Sequence, residues 1–215
     1  MYFTTYIISC DIASRDRSAM FNVFKHLIKT SSGKNPLEHS PEASSCNERT
    51  GAQATPDVTH DCTSDSTNTD IIACCSGYLI DATTLPDPVF AQKMLGETCA
   101  IAPREDTITV CSPSDGSVSA LFPTGHAFGI TRPDGVEILV HIGINTVEAH
   151  GEGLRVLDVR QGDTVKAGKP MVEVDVKKLS QTYNMSIMTI ITDAQQQTIS
   201  FKKSGSVNQG DSIVA

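Results

Sequence analysis

The stretch HAFGITRPDGVEILVHIGINTVE, residues 126–148, contains two apolar segments separated by a polar turn. Strand side chains alternate between the two faces of a sheet, so the pattern of GVEILVHIGI places His141 on the face opposite Val136 and Ile142. In HAFGI, His126 shares a face with the third and fifth residues of that segment. The stretch therefore predicts a hairpin that carries one imidazole on each strand.

The loop between these strands decides whether the two imidazoles adjoin. Pro133 cannot take the positive φ of a type I′ turn, which favours a longer loop built on a type I turn at RPDG. A four-residue loop would pair His126 directly with His141, with Cβ atoms roughly 4.5 to 5.5 Å apart. A three-residue loop with a bulge at Gly135 would place His126 opposite Ile142 and send His141 to the other face.

Two adjoining imidazoles in an apolar setting suit three different roles. One ring could accept a phosphoryl group on a neutral nitrogen while the other donates to the phosphoryl oxygens. Both rings could instead bind zinc, which needs at least one more ligand from elsewhere in the chain. The third role is structural, a buried histidine pair satisfied by hydrogen bonds. Spacing alone leaves all three open.

The composition is that of an acidic globular protein. At 215 residues, of which 39% are hydrophobic, the chain is long enough for one sizeable domain plus extensions. The formal charge of −8 argues against a nucleic-acid partner, because phosphate binding needs clustered Lys and Arg. No apolar run of about 18 residues and no convincing secretory signal are found, so we expect a cytoplasmic protein.

The seven cysteines are odd in number, and Cys74 and Cys75 are adjacent. This spacing does not suit a disulfide framework, and no C-x-x-C pair suggests zinc or redox chemistry. We therefore expect reduced thiols without a catalytic role, in agreement with a reducing compartment.

The first 70 residues differ in composition from the rest of the chain. Residues 31–70 are rich in Ser, Thr, Asn, Asp and Pro, which predicts a disordered linker. In the preceding tail, residues 1–30, a segment from Met20 to Lys29 has apolar residues at helical spacing and two lysines. It predicts a short amphipathic helix in peripheral contact with a membrane, with a frayed tail or a helix docked on the domain as alternatives.

From residue 71 onward, short apolar segments alternate with Gly, Pro, Asp and Asn turns. Many short strands at this spacing predict an all-β sandwich or barrel. One helical interruption is predicted at DPVFAQKML, where Asp87 can cap the helix and Pro88 suits its first turn. Two internal echoes, ACCSGYL with SPSDGSV and QGDTVKAG with NQGDSIV, hint at a duplicated β motif.

Five segments of this region resemble a known family in order and spacing: VFAQKMLGETCAI, SPSDGSVSALFPTGHAFGI, GVEILVHIGINTVEAHGEG, VRQGDTVKAG and SGSVNQGD. Through them, and above all through T-x-H-A-F and V-H-x-G-I-x-T-V, residues 71–215 resemble the glucose-type enzyme IIA of the bacterial sugar phosphotransferase system. The resemblance implies an antiparallel β-sandwich of the duplicated hybrid motif type. It also implies a shallow apolar depression that carries two histidines.

The resemblance implies roles for individual residues as well. His141 matches the phosphoacceptor, which takes a phosphoryl group from the histidine phosphocarrier protein and passes it to a cysteine of a sugar-specific enzyme IIB. His126 matches the histidine that supports the phosphoryl oxygens, and Thr124 matches the threonine that hydrogen-bonds within the pair. The apolar rim that meets partners matches Phe90, Met94, Leu95, Phe122 and Val147.

One position departs from the family pattern. The family usually has an acidic residue where this chain has Asn145, whereas Asp87 matches the other carboxylate that flanks the site. Those carboxylates face an arginine of the phosphocarrier. The loss of one should weaken docking more than chemistry, by roughly 1 kcal/mol if the pair is partly exposed.

Three functions follow from these patterns. The leading hypothesis is a phosphohistidine intermediate without a resident cofactor, although zinc could bind His126 and His141 in a regulatory complex. The second is a zinc hydrolase of the lysostaphin-like peptidase type, because HIGIN loosely echoes its H-x-G-x-D ligand segment, with Asn145 in place of the aspartate. The third, compatible with the first, is a regulatory module read by permeases, glycerol kinase or adenylate cyclase.

Overall fold

The computed structural model describes residues 70–215. The predicted domain from residue 71 onward falls within this range. The predicted tail, residues 1–30 with the helix from Met20 to Lys29, lies outside the described residues, as does the predicted linker apart from residue 70.

Short strands make up most of the regular structure in the described range. They are β1 Gly77–Ile80, β2 Glu97–Pro103, β3 Thr107–Cys111, β4 Gly116–Leu121, β5 Ala127–Thr131, β6 Glu137–Ile142, β7 Leu154–Val156, β8 Thr164–Val165, β9 Pro170–Asp175, β10 Ile187–Asp193 and β11 Gly205–Val207. The helices are single turns: α1 Pro88–Ala91, α2 Val176–Leu179, and the 3-10 helices Ala82–Thr84 and Thr146–Ala149.

The strands form two sheets in which all pairings are antiparallel. The large sheet has the order β11-β1-β2-β10-β6-β5-β4-β8, and the small sheet has the order β3-β9-β7. The main core lies between them and joins Phe128 and Ile187 of the large sheet to Val172 of the small one. The predicted antiparallel β-sandwich with short helical turns is therefore confirmed.

The large sheet is also covered locally on its outer face. There Ala100, Leu139 and Met188 pack in a second apolar cluster, which we call the outer cluster, with Phe90 of α1 and Leu85. Because this part of the sheet is buried on both sides, its strands do not alternate between apolar and polar residues. The outer cluster forms the surroundings of His141, as described below.

Strand β2 was absent from the sequence prediction although it lies inside the large sheet, between β1 and β10. Its sequence, ETCAIAP, has small side chains and ends in proline, which is a weak strand signal. Four successive residues, 98–101, are buried, so no alternation marks the segment. Only the tertiary pairing with both neighbours defines this strand.

The strands of the β5–β6 hairpin are paired in the register that a three-residue loop produces. Thr131 pairs with Glu137, and the N–H of Arg132 donates to the carbonyl of Val136 at 2.9 Å, which leaves residues 133–135 in the loop. Gly135 closes the loop with φ +86, a conformation that favours glycine. The four-residue loop that would pair His126 with His141 is therefore wrong.

The helical interruption is where the sequence predicted it. Asp87 caps α1 by accepting a hydrogen bond from the N–H of Val89 at 2.7 Å, and Pro88 occupies the first turn. Phe90 of this single turn is 7% exposed because it packs into the outer cluster. The cap thus fixes a short element that covers the large sheet beside His141.

The two similar segments ACCSGYL and SPSDGSV place a glycine, Gly77 and Gly116, in equivalent structural environments. A Cβ at Gly77 would lie 2.3 Å from the carbonyl oxygen of Ala102, and a Cβ at Gly116 would lie 2.5 Å from that of Thr131. Each glycine therefore lets the backbone of a neighbouring strand approach more closely than any side chain would permit. The matching environments support the duplicated motif.

None of the helices within residues 70–215 has the length and apolar character that a membrane span requires.

A strained turn follows β10 and yields a stability prediction. Gln195 and Gln196 have φ values of 48 and 65, and the N–H of Gln197 donates to the carbonyl of Ala194 at 2.8 Å. This is the pattern of a type I′ turn, which favours Asn and Gly. Gln196→Gly should raise the free energy of unfolding by about 0.5–1 kcal/mol, since the relief of strain exceeds the added chain entropy.

Chemical denaturation of the two proteins measures this difference. Gln181→Gly is the matched control, because Gln181 is exposed and lacks a positive φ, so its change should destabilise the protein. Equal destabilisation by both variants would contradict the turn assignment.

Candidate functional site

His141 is the penultimate residue of β6, and its side chain points to the outer face of the large sheet. Its direct partners in the adjacent strands are Ala127 and Met188, both fully buried in the outer cluster. His141 itself is partly exposed. The imidazole therefore lies among buried apolar side chains of the outer cluster and keeps some access to solvent.

A backbone carbonyl fixes the protonation of the His141 ring. Nδ1 of His141 lies 2.8 Å from the carbonyl oxygen of Gly143. A carbonyl only accepts hydrogen bonds, so in the neutral ring Nδ1 carries the proton. The remaining nitrogen, Nε2, then carries a lone pair that can act as a nucleophile or a ligand.

The position of the Gly143 carbonyl depends on the turn that follows β6. Gly143 has φ +71, and a Cβ there would lie 2.5 Å from Cγ2 of Thr146 and 3.1 Å from the Asn184 carbonyl oxygen. Both the conformation and the crowding exclude a larger residue at this position. Sequence reasoning did not identify Gly143 or Thr146 as site residues. The sequence signal that could have found them is the V-H-x-G-I-x-T-V motif, in which Gly143 and Thr146 are two of the specified positions.

His126 lies in the bend between Thr124 and β5, one residue before the strand begins. The centroids of its ring and the His141 ring are 5.4 Å apart, with an angle of 69° between the ring planes. The three-residue register was expected to separate the two imidazoles, and that expectation is wrong. Strand alternation does not fix the direction of a side chain in a bend, where Gly125 has φ +72.

Thr124 holds the second ring. Its Oγ1 lies 2.5 Å from Nδ1 of His126, which is 7% exposed. A hydroxyl can donate or accept, so this contact fits either tautomer of His126. If the hydroxyl donates to Nδ1, the ring carries its proton on Nε2. The pair would then present one nitrogen lone pair, on His141, and one N–H group, on His126.

Two phenylalanines pack against the histidine rings. The Phe90 ring lies 5.2 Å from the His141 ring, and the Phe122 ring lies 4.9 Å from the His126 ring, each measured between centroids and each tilted. Together with Leu95 and Ile144 of the outer cluster, they make the surroundings of both imidazoles apolar. These surroundings penalise a charged ring.

Burial lowers the pKa of His141 from 6.5 to about 4, although its hydrogen bond to the Gly143 carbonyl acts in the opposite direction. Burial also lowers the pKa of His126 to about 4, and the neighbouring His141 ring adds to this effect. Both rings are therefore neutral at pH 7. Because the unfolded chain protonates them at higher pH, they reduce folding stability as the pH falls from about 6.5 towards 4.

The other residues assigned from the resemblance lie in or next to α1, β4 and the 3-10 helix Thr146–Ala149. Met94 and Leu95 are partly exposed just after α1, Phe122 is partly exposed just after β4, and Val147 is partly exposed in the 3-10 helix Thr146–Ala149. Asp87 is partly buried as the cap of α1.

Asn145 is exposed and takes the left-handed conformation, with φ 62 and ψ 14. Asn is among the few residues other than Gly that enter this region readily. Its side chain makes no capping hydrogen bond to the 3-10 helix that it precedes, so the amide is available to a partner.

The described residues offer few alternatives to the histidine pair as a reactive site. Within residues 70–215, no group of three or more His, Cys, Asp or Glu side chains could hold a metal ion, so nothing supports the zinc hydrolase. Zinc bound by His126 and His141 would need further ligands from a partner. The four described cysteines are free and buried, and burial raises the pKa of Cys99 to about 12.

Comparison with known proteins identifies the family. The model of the family described as phosphoenolpyruvate-dependent sugar phosphotransferase system, EIIA 1, matches residues 69–197. The glucose-specific EIIA component of Staphylococcus epidermidis is 41% identical over 131 residues, which cover 61% of this chain and 77% of that protein. The corresponding protein of Halalkalibacterium halodurans is 37% identical over 133 residues, which cover 62% and 75%.

A longer relative and a solved structure agree with this match. The glucose-specific EIICBA component of Staphylococcus carnosus is 36% identical over 139 residues, which are 64% of this chain but 20% of that protein. The chain thus spans about a fifth of the length of its EIICBA relatives. Glucose permease IIA from Mycoplasma capricolum superimposes with a TM-score of 0.63 at 36% identity, over 67% of this chain and 93% of that one. The chain therefore belongs to the EIIA 1 family of the phosphoenolpyruvate-dependent sugar phosphotransferase system.

Proposed function

We propose that this protein is a phosphohistidine intermediate of the sugar phosphotransferase system. His141 accepts a phosphoryl group from the histidine phosphocarrier protein and passes it to a cysteine of a sugar-specific enzyme IIB. The observation that carries this proposal is the 2.8 Å contact between Nδ1 of His141 and the carbonyl of Gly143. It keeps the Nε2 lone pair free on a ring that stays neutral at physiological pH.

The transfer requires little from the protein beyond positioning. The Nε2 lone pair of His141 forms a bond to phosphorus while the bond from phosphorus to the donor's imidazole nitrogen breaks, and that electron pair returns to the donor ring. The phosphorylated ring then carries positive charge on its Nδ1–H edge. The Gly143 carbonyl already accepts from that edge, so the new charge meets a preorganised dipole.

His126 supports the phosphoryl group in this proposal. With Thr124 donating to Nδ1 of His126, the opposite ring nitrogen has a proton to donate to a phosphoryl oxygen. Phe90 and Phe122 limit the access of water, which would hydrolyse the phosphorylated imidazole. Unequal roles for the two rings follow from their unequal Nδ1 partners, a carbonyl for one and a hydroxyl for the other.

The apolar rim around the depression is the proposed docking surface for both the phosphocarrier and enzyme IIB. Phe122, Met94 and Val147 offer partly exposed apolar contacts, and Asp87 offers a carboxylate. The names of the relatives, glucose-specific EIIA and EIICBA, favour glucose-type partners. Permeases, glycerol kinase or adenylate cyclase are proposed as regulatory readers of the phosphorylated state, which suits a cytoplasmic location.

Incubation with phosphoenolpyruvate, enzyme I and the phosphocarrier tests the proposal. His141→Gln should take up no acid-labile phosphate, because the nucleophile is gone. His126→Gln should still accept phosphate, because the amide N–H can donate to a phosphoryl oxygen, but should pass it to enzyme IIB at least tenfold more slowly, because an amide does not replace the imidazole that Thr124 orients. The measurements are radiolabelled phosphate on the protein and its loss after enzyme IIB is added.

His150→Gln is the matched control for these variants, since His150 is exposed at the end of the 3-10 helix Thr146–Ala149. It should behave as the unaltered protein. Normal labelling of His141→Gln would refute the assignment of the phosphoacceptor, and normal transfer by His126→Gln would refute the supporting role.

Asn145→Asp tests the docking surface separately. A carboxylate at this exposed position should strengthen docking with a basic phosphocarrier and raise the phosphorylation rate at limiting carrier by about fivefold, which corresponds to roughly 1 kcal/mol. The gain should shrink as salt is added. Asn208→Asp, an exposed change next to β11, is the control for net charge. An equal gain from both variants would show that position 145 has no specific part in docking.

A further inference from the structure

Thr146 begins the 3-10 helix Thr146–Ala149, four residues after the end of β6, and it belongs to the V-H-x-G-I-x-T-V motif, but none of the roles assigned above falls to it. Its side chain is fully buried, and its hydroxyl donates to the carbonyl of Ile142. Its methyl group packs against Gly143, since Cγ2 is only 2.5 Å from where a Cβ of that glycine would be. Thr146 is therefore buried inside the turn that follows β6, and it stabilises that turn through both its hydroxyl and its methyl group.

Two successive peptide units connect this hydroxyl to His141. In the first unit, the Ile142 carbonyl accepts from Thr146, and the Gly143 N–H donates to the Ser186 carbonyl at 3.0 Å. Both ends of this unit are therefore fixed, one by a side chain and the other by the segment that precedes β10.

In the second unit, the Gly143 carbonyl accepts from Nδ1 of His141 at 2.8 Å. The other end of that unit is the N–H of Ile144, which donates to the Asn184 carbonyl at 2.8 Å. Since Gly143 joins the two units and has the freest φ and ψ of any residue, the bond from Ile144 alone does not fix the direction of the second unit, and the bonds that hold the first unit contribute to it. The direction of this carbonyl determines which ring nitrogen of His141 carries the proton.

We infer that Thr146 is a positioning residue that selects the Nδ1–H tautomer of His141 by fixing the Ile142 and Gly143 peptide units through its hydroxyl. This inference rests on the proposed function and deepens it, because that function needs a free Nε2 lone pair. It is tested first by the tautomer of the His141 ring in the unphosphorylated protein. That measurement does not depend on whether the protein transfers phosphoryl groups.

Thr146→Val and Thr146→Ala remove the hydroxyl, and Thr146→Ser keeps it while removing the methyl group. The ¹⁵N chemical shifts of the His141 ring in histidine-labelled protein report which nitrogen carries the proton. We expect a mixture of tautomers in the Val and Ala variants, and the single Nδ1–H form in the Ser variant. Phosphate acceptance from the phosphocarrier should fall by about tenfold in the first two and recover in the third.

Thr189→Val is the matched control. Thr189 is 1% exposed in β10, and its hydroxyl contacts Sγ of Cys74 at 3.8 Å. It pairs with Val140, so it faces the main core, on the side of the sheet opposite His141. This variant loses a buried hydroxyl of the same size and should keep the tautomer of the unaltered protein.

An unchanged tautomer in a folded Val or Ala variant would overturn the inference, as would an equal change in Thr189→Val. If neither Val nor Ala folds, the Ser variant decides. A mixed tautomer in Thr146→Ser would show that packing of the methyl group, not the hydroxyl, directs the ring. The single Nδ1–H form there supports the inference.

Discussion

The hydrogen bond from Nδ1 of His141 to the Gly143 carbonyl is the constraint on which the site depends. It selects the tautomer, leaves Nε2 free and provides a dipole for the charge that phosphorylation would create. The bond exists because β6 ends at Ile142 and the chain then turns through a glycine with φ +71. A larger residue at this point would clash with Thr146 and would displace the carbonyl from the ring.

The fold supplies the second requirement, a neutral ring. The outer cluster buries Met188 and Ala127 beside His141, and the single turn α1 adds Phe90 over the ring. Water is therefore scarce around an imidazole that still reaches the surface. Desolvation then lowers the pKa of the histidine pair, and under the proposed function the same apolar surroundings would protect a phosphorylated ring from hydrolysis.

The sequence predicted the architecture better than the local geometry. Strand periodicity and turn residues predicted an all-β fold, and the Asp87 cap and Pro88 predicted α1, because these signals are local. The strand β2 was missed because small residues buried on both faces leave no alternation. Strand periodicity could not predict that the His126 and His141 rings adjoin, because His126 lies in a bend before β5 and not in the strand. The role of Gly143 as the acceptor for Nδ1 of His141 could not be predicted, because it depends on the direction of a backbone carbonyl.

The most direct test of this account is an NMR titration of the His141 ring in the unaltered, unphosphorylated protein labelled with ¹⁵N in histidine. The account predicts one tautomer, with the proton on Nδ1 and a lone pair on Nε2, from neutral pH downward until the ring protonates near its pKa of about 4. A proton on Nε2 at neutral pH would contradict it, and so would protonation at the ordinary histidine value of about 6.5.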